Sequence, residues 1–376
     1  MTLPWLKPSS DSGGLSRERP SAAICSAGRC AGFGSAEICR HPHAPLARGV
    51  SASSKAVAMK IGMISNRRSH RNRHSLAAIE QNGAFEQAIL HRPLDGISGI
   101  DQTLEFFARS GVEVLAINGG DGTVQAVLTS LLNTRPFRDL PYVAILPGGM
   151  TNMSAAGLGL GGSLRKAVER LIRQAADGQT EPRVVLRPLL RLRAACDQPP
   201  RYGFFFGAAA IVTAIKLCHR SVYALGLEAG LANAMTLAGA LAHWLFARPS
   251  DSLFRPEDML IALDDGINER KSLMLVLATT LDRLVLGSRP FWNVGNAPIR
   301  FTAITYPPNG LVRYAARVLF GGDQRRLPEE VYRSRGVHSI ALRMACDFTV
   351  DGELYAPPAG RPLLISVSEK LRFIQL

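Results

Sequence analysis

The chain has 376 residues, 47% of them hydrophobic, and a formal net charge of +14. That length and apolar content exclude disorder for most of it and leave room for two domains. The first 58 residues hold seven Lys/Arg against three Asp/Glu, which leaves +10 on a folded body suited to anionic partners: nucleotide, anionic lipid or nucleic acid.

Residues 1–58 are rich in Ser, Ala, Gly, Pro and Arg, without amphipathic period or the apolar core of a signal peptide. They read as a disordered or mis-annotated extension, with Met59 the alternative start directly before the strand-like run Lys60–Ser65. Cysteines 25, 30, 39, 196, 218 and 346 form no CxxC pair and have no metal-ligand spacing with histidine, which suggests a reducing compartment. The basic run Arg67, Arg68, His70, Arg71, Arg73, His74 can serve a phosphate or a membrane, or be solvated loop.

From residue 59 to 181 short apolar runs alternate with helical periodicity. Strand-like runs at 60–65, 113–117 and 142–146 separate helices whose apolar faces are Ile100, Leu104 and Phe107; Val124, Val127, Leu128 and Leu131; and Leu164, Val168, Leu171 and Ile172. This predicts a doubly wound parallel sheet. Two strand ends carry glycine-rich turns, Asn118-Gly119-Gly120-Asp121-Gly122-Thr123 and Pro147-Gly148-Gly149-Met150-Thr151-Asn152. Glycine admits close approach of backbone N–H groups to an anion, and a helix N-terminus adds unpaired amides, so both read as phosphate loops. Asp121 is repelled by a bare phosphate unless Mg²⁺, a ribose hydroxyl or backbone amides absorb its charge; its structural alternative is to cap the helix it opens.

Residues 182–376 read as a second, mostly antiparallel and β-sandwich-like domain. Leu190, Leu192 and Ala194 alternate with arginines, Ile340, Leu342 and Met344 alternate with polar or small residues, and 273–278 is a fully apolar run. The last strand is able to return to the first domain. Residues 229–246 lack formal charge apart from a titratable His243, and a buried or cleft-lining helix is favoured there over a membrane span. Asp351-Gly352, between Phe348-Thr349-Val350 and Leu354-Tyr355, makes a good hairpin turn; its place after two phosphate loops favours a catalytic role.

The order strand, Gly-Gly-Asp-Gly-Thr, helix, strand, Pro-Gly-Gly-x-Thr-Asn, helix, β-rich region and Asp351-Gly352-Glu353 resembles the diacylglycerol kinase catalytic family, including bacterial lipid kinases. The first motif is shared with sphingosine kinases and NAD kinases. The resemblance implies ATP in a cleft between the two domains, with contacts at Asn66, Gly119, Gly120, Asp121, Gly122, Thr123, Gly148, Gly149, Thr151 and Asn152. It also implies Asp351 as general base with Glu353 beside it, and Mg²⁺-dependent γ-phosphoryl transfer to a hydroxyl of diacylglycerol or a related lipid. The enzyme would be cytoplasmic and peripheral to an anionic membrane. The alternatives are a NAD kinase-like enzyme, which would work without lipid, and a binding protein that has lost catalysis. The second is motivated by Met150 and Met153 in the second turn and by Gln125-Ala126 where the family often has Asn-Glu. Residues 289–304 contain no carboxylate, so no structural metal is expected there; Mg²⁺ would arrive with ATP. No aromatic platform accompanies the arginines and no Gly-x-Ser-x-Gly elbow is present, which argues against nucleic acid and a serine hydrolase.

Overall fold

The computed structural model describes residues 59–69, 72, 83–149, 152–158, 163–176, 182–194, 198–216, 255–264 and 266–376. Four sequence readings therefore lie outside the described residues: the 1–58 extension, most of the basic run after Arg68, Met150 with Thr151, and the uncharged 229–246 stretch.

The first half is built on β1 (Ile61–Asn66), β2 (Ile89–Leu94), β3 (Val114–Gly119) and β4 (Tyr142–Pro147), all parallel, in the order β4-β3-β1-β2. Around them run α1 (Gly83–Ala88), α2 (Ile100–Arg109), α3 (Asp121–Thr134), α4 (Met153–Gly157) and α5 (Leu164–Ala176). Both faces of the sheet are covered, and successive residues of a strand enter opposite cores. Leu115, Ile117, Val143 and Ile145 pack with α2 and α3, while Val114, Ala116, Ala144 and Leu146 pack with α5. Burial on both faces explains why β3 and β4 read as continuous apolar runs. Strand β2 has no such run. It is the edge strand, half-buried along most of its length, and it tolerates Pro93, which no interior strand would accept.

The second half is antiparallel: β5 (Val184–Arg193), β6 (Arg201–Gly203), β7 (Phe205–Ala209), β8 (Glu257–Leu263), β9 (Glu269–Thr279), β10 (Ile299–Thr305), β11 (Tyr332–Val337), β12 (Ile340–Arg343), β13 (Phe348–Val350), β14 (Glu353–Tyr355) and β15 (Leu363–Ile374). Helix α6 (Leu311–Phe320) follows β10. Alternate residues of these strands, such as Leu190, Phe206, Ile261, Val276, Phe301, Leu342 and Ile365, meet in one apolar core. Strand β15 runs through both halves. It pairs antiparallel with β5 and β12, and at Phe373 it pairs parallel with Val143 of β4. Residues 55–376 accordingly form one compact unit around a single mixed sheet.

Candidate nucleotide and phosphoryl-transfer site

The two glycine turns end the adjacent strands β3 and β4, which places them side by side at the carboxyl edge of the parallel sheet. They interlock: a Cβ on Gly149 would lie 2.4 Å from the Gly120 Cα, so only glycine allows the two backbones to come this close. Asn152, in the left-handed region at φ 48°, ties the second turn to itself. Its Oδ1 accepts from the Gly149 N–H at 2.8 Å and its Nδ2 donates to the Gly149 carbonyl at 2.9 Å.

Asp121 opens α3 but serves a different helix. Its two oxygens accept from the Met153 and Ser154 N–H groups, at 3.1 and 2.9 Å, at the start of α4. Backbone amides thus absorb the charge that sequence reasoning found awkward beside phosphate, and they are the amides of the second turn's helix. The start of α3 has no side-chain cap at Gly120, which leaves the first-turn amides of a 14-residue helix as an anion-binding end. The exposed Glu353 leans over that end, its Oε1 2.2 Å from where a Cβ of Gly122 would be.

Polar side chains, of which sequence reasoning singled out Asn66, hold this edge in place. Asn66 donates to the Thr123 hydroxyl at 2.8 Å, and its Oδ1 accepts from the Arg68 N–H. Asn72 donates to the carbonyls of Asn66 and Asn118, and Asn118 donates to Ser65. Ser69 accepts from the Gly120 N–H at 3.3 Å. His91 contacts the same Ser65 hydroxyl, and burial, then the Arg67 charge, pushes its pKa down to about 4, so the ring is neutral at physiological pH. Asn118 was legible as part of the first turn's sequence; Ser69 and Asn72 carry no signal beyond following β1, and Ser65 none beyond lying in it.

Asp351 and Glu353 flank the β13–β14 hairpin. Asp351 and Gly352 both have positive φ, 49° and 95°, as a two-residue turn between paired Val350 and Glu353 requires. The turn swings the Asp351 carboxyl inward. Only 4% exposed, it accepts from the Phe204 N–H on both oxygens at 3.0 Å and from the Phe205 N–H on Oδ1 at 2.8 Å. Burial pushes its pKa up to about 8, the two amide hydrogen bonds oppose this, and the nearby Asp121 charge adds to it. Electrostatically, then, Asp351 and the first glycine turn share one site. Oδ2 takes only the shared Phe204 bond and keeps acceptor capacity, and Gly203 leaves the space beside it open, since a Cβ there would sit 2.6 Å from Oδ2.

Helix α3 fastens the two halves together. Gln125 exchanges hydrogen bonds with the Tyr355 hydroxyl at 3.0 and 3.2 Å, and Thr129 does the same with the backbone of Tyr202 at 3.2 and 3.1 Å. Gln125 is therefore a tether between the halves. In the antiparallel half Asp282, the acidic residue nearest the carboxylate-free 289–304 segment, lies between the guanidinium groups of Arg187 and Arg300, both of which also donate to the Thr280 carbonyl. Among the described residues no three acidic, histidine or cysteine side chains converge as a metal site, and no helix is long and apolar enough to cross a membrane.

This arrangement has a counterpart among known proteins. Residues 62–180 match the diacylglycerol kinase catalytic domain. The match includes both glycine turns and ends before the Asp351 hairpin. The diacylglycerol kinase likeness extends to solved structures: a putative diacylglycerol kinase from Bacillus anthracis str. Sterne has a TM-score of 0.59 at 15% identity, over 84% of this chain and 97% of that one. A diacylglycerol kinase from the same strain gives 0.55 at 15% identity with the same coverage. Yeast NADH kinase complexed with NADH gives 0.40 at 10% identity, over 85% of this chain and 84% of that one. No curated protein sequence matches significantly. The fold is that of the diacylglycerol kinase structures, with parallel strands first and antiparallel strands after.

Asp121→Asn tests the bridge between the turns. An amide has one acceptor oxygen, so one α4 amide loses its partner, at a cost of about 1 kcal/mol. The same change removes the negative charge that raises Asp351. We expect a lower melting temperature together with a rising activity limb moved to lower pH, read from paired melting curves and pH–rate profiles; an unmoved limb would refute the electrostatic link.

Proposed function

We propose that this protein is an ATP-dependent lipid kinase that transfers a γ-phosphoryl group to a hydroxyl of diacylglycerol or a related lipid, working at a membrane surface. The observation that carries the reading is the uncapped start of α3, locked between two glycine turns, with the raised-pKa carboxyl of Asp351 within electrostatic reach of Asp121. Amides of Asp121, Gly122 and Thr123 suit phosphate oxygens, and Asn66 orders Thr123 beside them. Mg²⁺, brought on the nucleotide phosphates, would neutralise charge on the transferring group; Glu353 is a second carboxylate, after Asp121, beside that end of α3.

In this reading Asp351 takes the proton of the acceptor hydroxyl on Oδ2, while Phe204 and Phe205 hold the carboxyl in orientation. A base with a pKa near 8 is mostly protonated at neutral pH, so its own ionisation limits the rate there. The acidic residues around the site also disfavour a second anion unless a cation accompanies it, which fits a metal-loaded nucleotide.

The test gives the full-length protein γ-labelled ATP and Mg²⁺ with diacylglycerol, sphingosine, a total lipid extract or NAD in parallel. Label should enter lipid and be lost in Asp351→Asn. Label in NAD instead, or ATP binding without transfer to any acceptor, would overturn the proposal.

A further inference from the structure

Resting on the lipid-acceptor reading, we infer that α6 and the neighbouring 283–289 turn form a docking face for an anionic bilayer. Helix α6 buries Ala315 and Val318 against the fold, yet Val312, Ala316 and Phe320 follow one another at i, i+4 and i+8 on its outer side, with Val312 58% and Phe320 59% exposed. Arg313 and Arg317 form the next stripe round the helix, both exposed. The 283–289 turn adds Leu286, 55% exposed and held in the left-handed region at φ 57°, with exposed Arg283 and Arg289 at its ends.

These two segments make one surface. The Arg289 N–H donates to the Leu319 carbonyl at 2.6 Å. The Arg325 guanidinium donates to the carbonyls of Arg317 at 2.7 Å, Arg289 at 2.9 Å and Phe291 at 3.1 Å, stapling the turn to the end of α6. From 283 to 322 the sequence contains five arginines and no Asp or Glu. Three large apolar side chains standing in water, rimmed by the exposed Arg283, Arg289, Arg313 and Arg317, with Asp282 turned to Arg187 and Arg300 and Asp323 beyond the end of α6, match the chemistry of an anionic lipid surface: apolar groups enter the acyl boundary while guanidinium groups meet headgroup phosphates. The short helical turn at 285–287 packs on α4, the helix that leaves the second glycine turn, so docking here would set the phosphoryl-transfer edge beside the membrane.

The experiment is co-sedimentation of the full-length protein with vesicles of phosphatidylcholine alone or mixed with phosphatidylglycerol, with sedimentation velocity and melting curves in parallel. Binding should require phosphatidylglycerol and weaken in high salt. Val312→Ser with Phe320→Ser should lower the partition coefficient at least about tenfold, and Arg313→Gln with Arg317→Gln about thirtyfold, both with wild-type melting. The face is refuted if wild type ignores the vesicles, if neither pair changes binding, or if the pairs dissolve a dimer and leave binding intact. Kinase failure reads out separately: vesicle binding through this face without lipid phosphorylation leaves the docking face standing, whereas phosphorylation with binding indifferent to both pairs removes it.

Discussion

Asp351→Asn should lower kcat by about 10²–10⁴-fold while leaving nucleotide affinity close to wild type. The buried carboxyl, with a pKa pushed up to about 8, is largely neutral in the resting protein at pH 7, so the amide is its near isostere. The Asn Oδ1 can still accept from the Phe204 and Phe205 N–H groups. What the variant loses is the ability to take a proton. Wild-type kcat/KM should therefore rise with pH towards a plateau above about 8, and this limb should vanish from the variant. Stability gives an independent sign. The native carboxyl holds its proton up to about pH 8, whereas the unfolded one releases it near the ordinary carboxylate range, so between these values the native state binds more protons. The resulting stability is complete below the unfolded pKa and is lost as pH rises through about 8. Wild type should thus lose melting temperature relative to Asp351→Asn as pH is raised from 5 to 9, and a constant difference would contradict the raised pKa. Asp351→Ala is the structural contrast: it strands two buried amides and should cost about 1–3 kcal/mol for each. Unchanged turnover in Asp351→Asn would remove this residue from the base role.

Gly149→Ala should weaken nucleotide binding by about 10²-fold and destabilise the fold by about 1–3 kcal/mol. Its Cβ would meet the Gly120 Cα at 2.4 Å and the Asn152 Oδ1 at 3.0 Å. Backbone is what obstructs it, and that backbone is pinned, because the Gly120 N–H donates to Ser69 and its carbonyl accepts from the Val124 N–H at 3.0 Å. Relief requires the turns to separate, and a displacement of about an ångström in a positioned site can cost about 10²-fold. Gly122→Ala separates the steric argument from the mere loss of a glycine. Its Cβ would meet the far end of the exposed Glu353 side chain, which can swing aside, so this variant should melt like wild type. Isothermal titration with ATP and thermal melting of the two variants decide the matter; wild-type affinity in Gly149→Ala would show that the interlock does not shape the site.

Much of the fold was legible because it is local. The apolar runs that became β1, β3 and β4, the helix faces led by Ile100, Val124 and Leu164, and the Asp351-Gly352 hairpin each depend on periodicity or turn chemistry within about ten residues. Strand β2 escaped notice because an edge strand needs only partial burial and so leaves no apolar run. The same division applies to the site. Both glycine turns could be found from sequence, and the parallel sheet alone puts them at one edge.

The sequence by itself determined the alternating architecture of the first half, the β texture of the second, and the two glycine-rich turns. Tertiary structure alone decided what the charged residues do. Asp121 caps a helix 32 residues away, and Asp351 is bonded to amides 147 residues away. Their shared electrostatics exists only once α3 has been clamped to β6 and β14 through Thr129 and Gln125. The return of β15 to β4, which joins the halves, likewise rests on strand pairing between distant residues. The physical reason is range: propensity and hydrophobic period act over a few residues, whereas desolvation, charge coupling and backbone interlock depend on which distant surfaces the packed cores bring together.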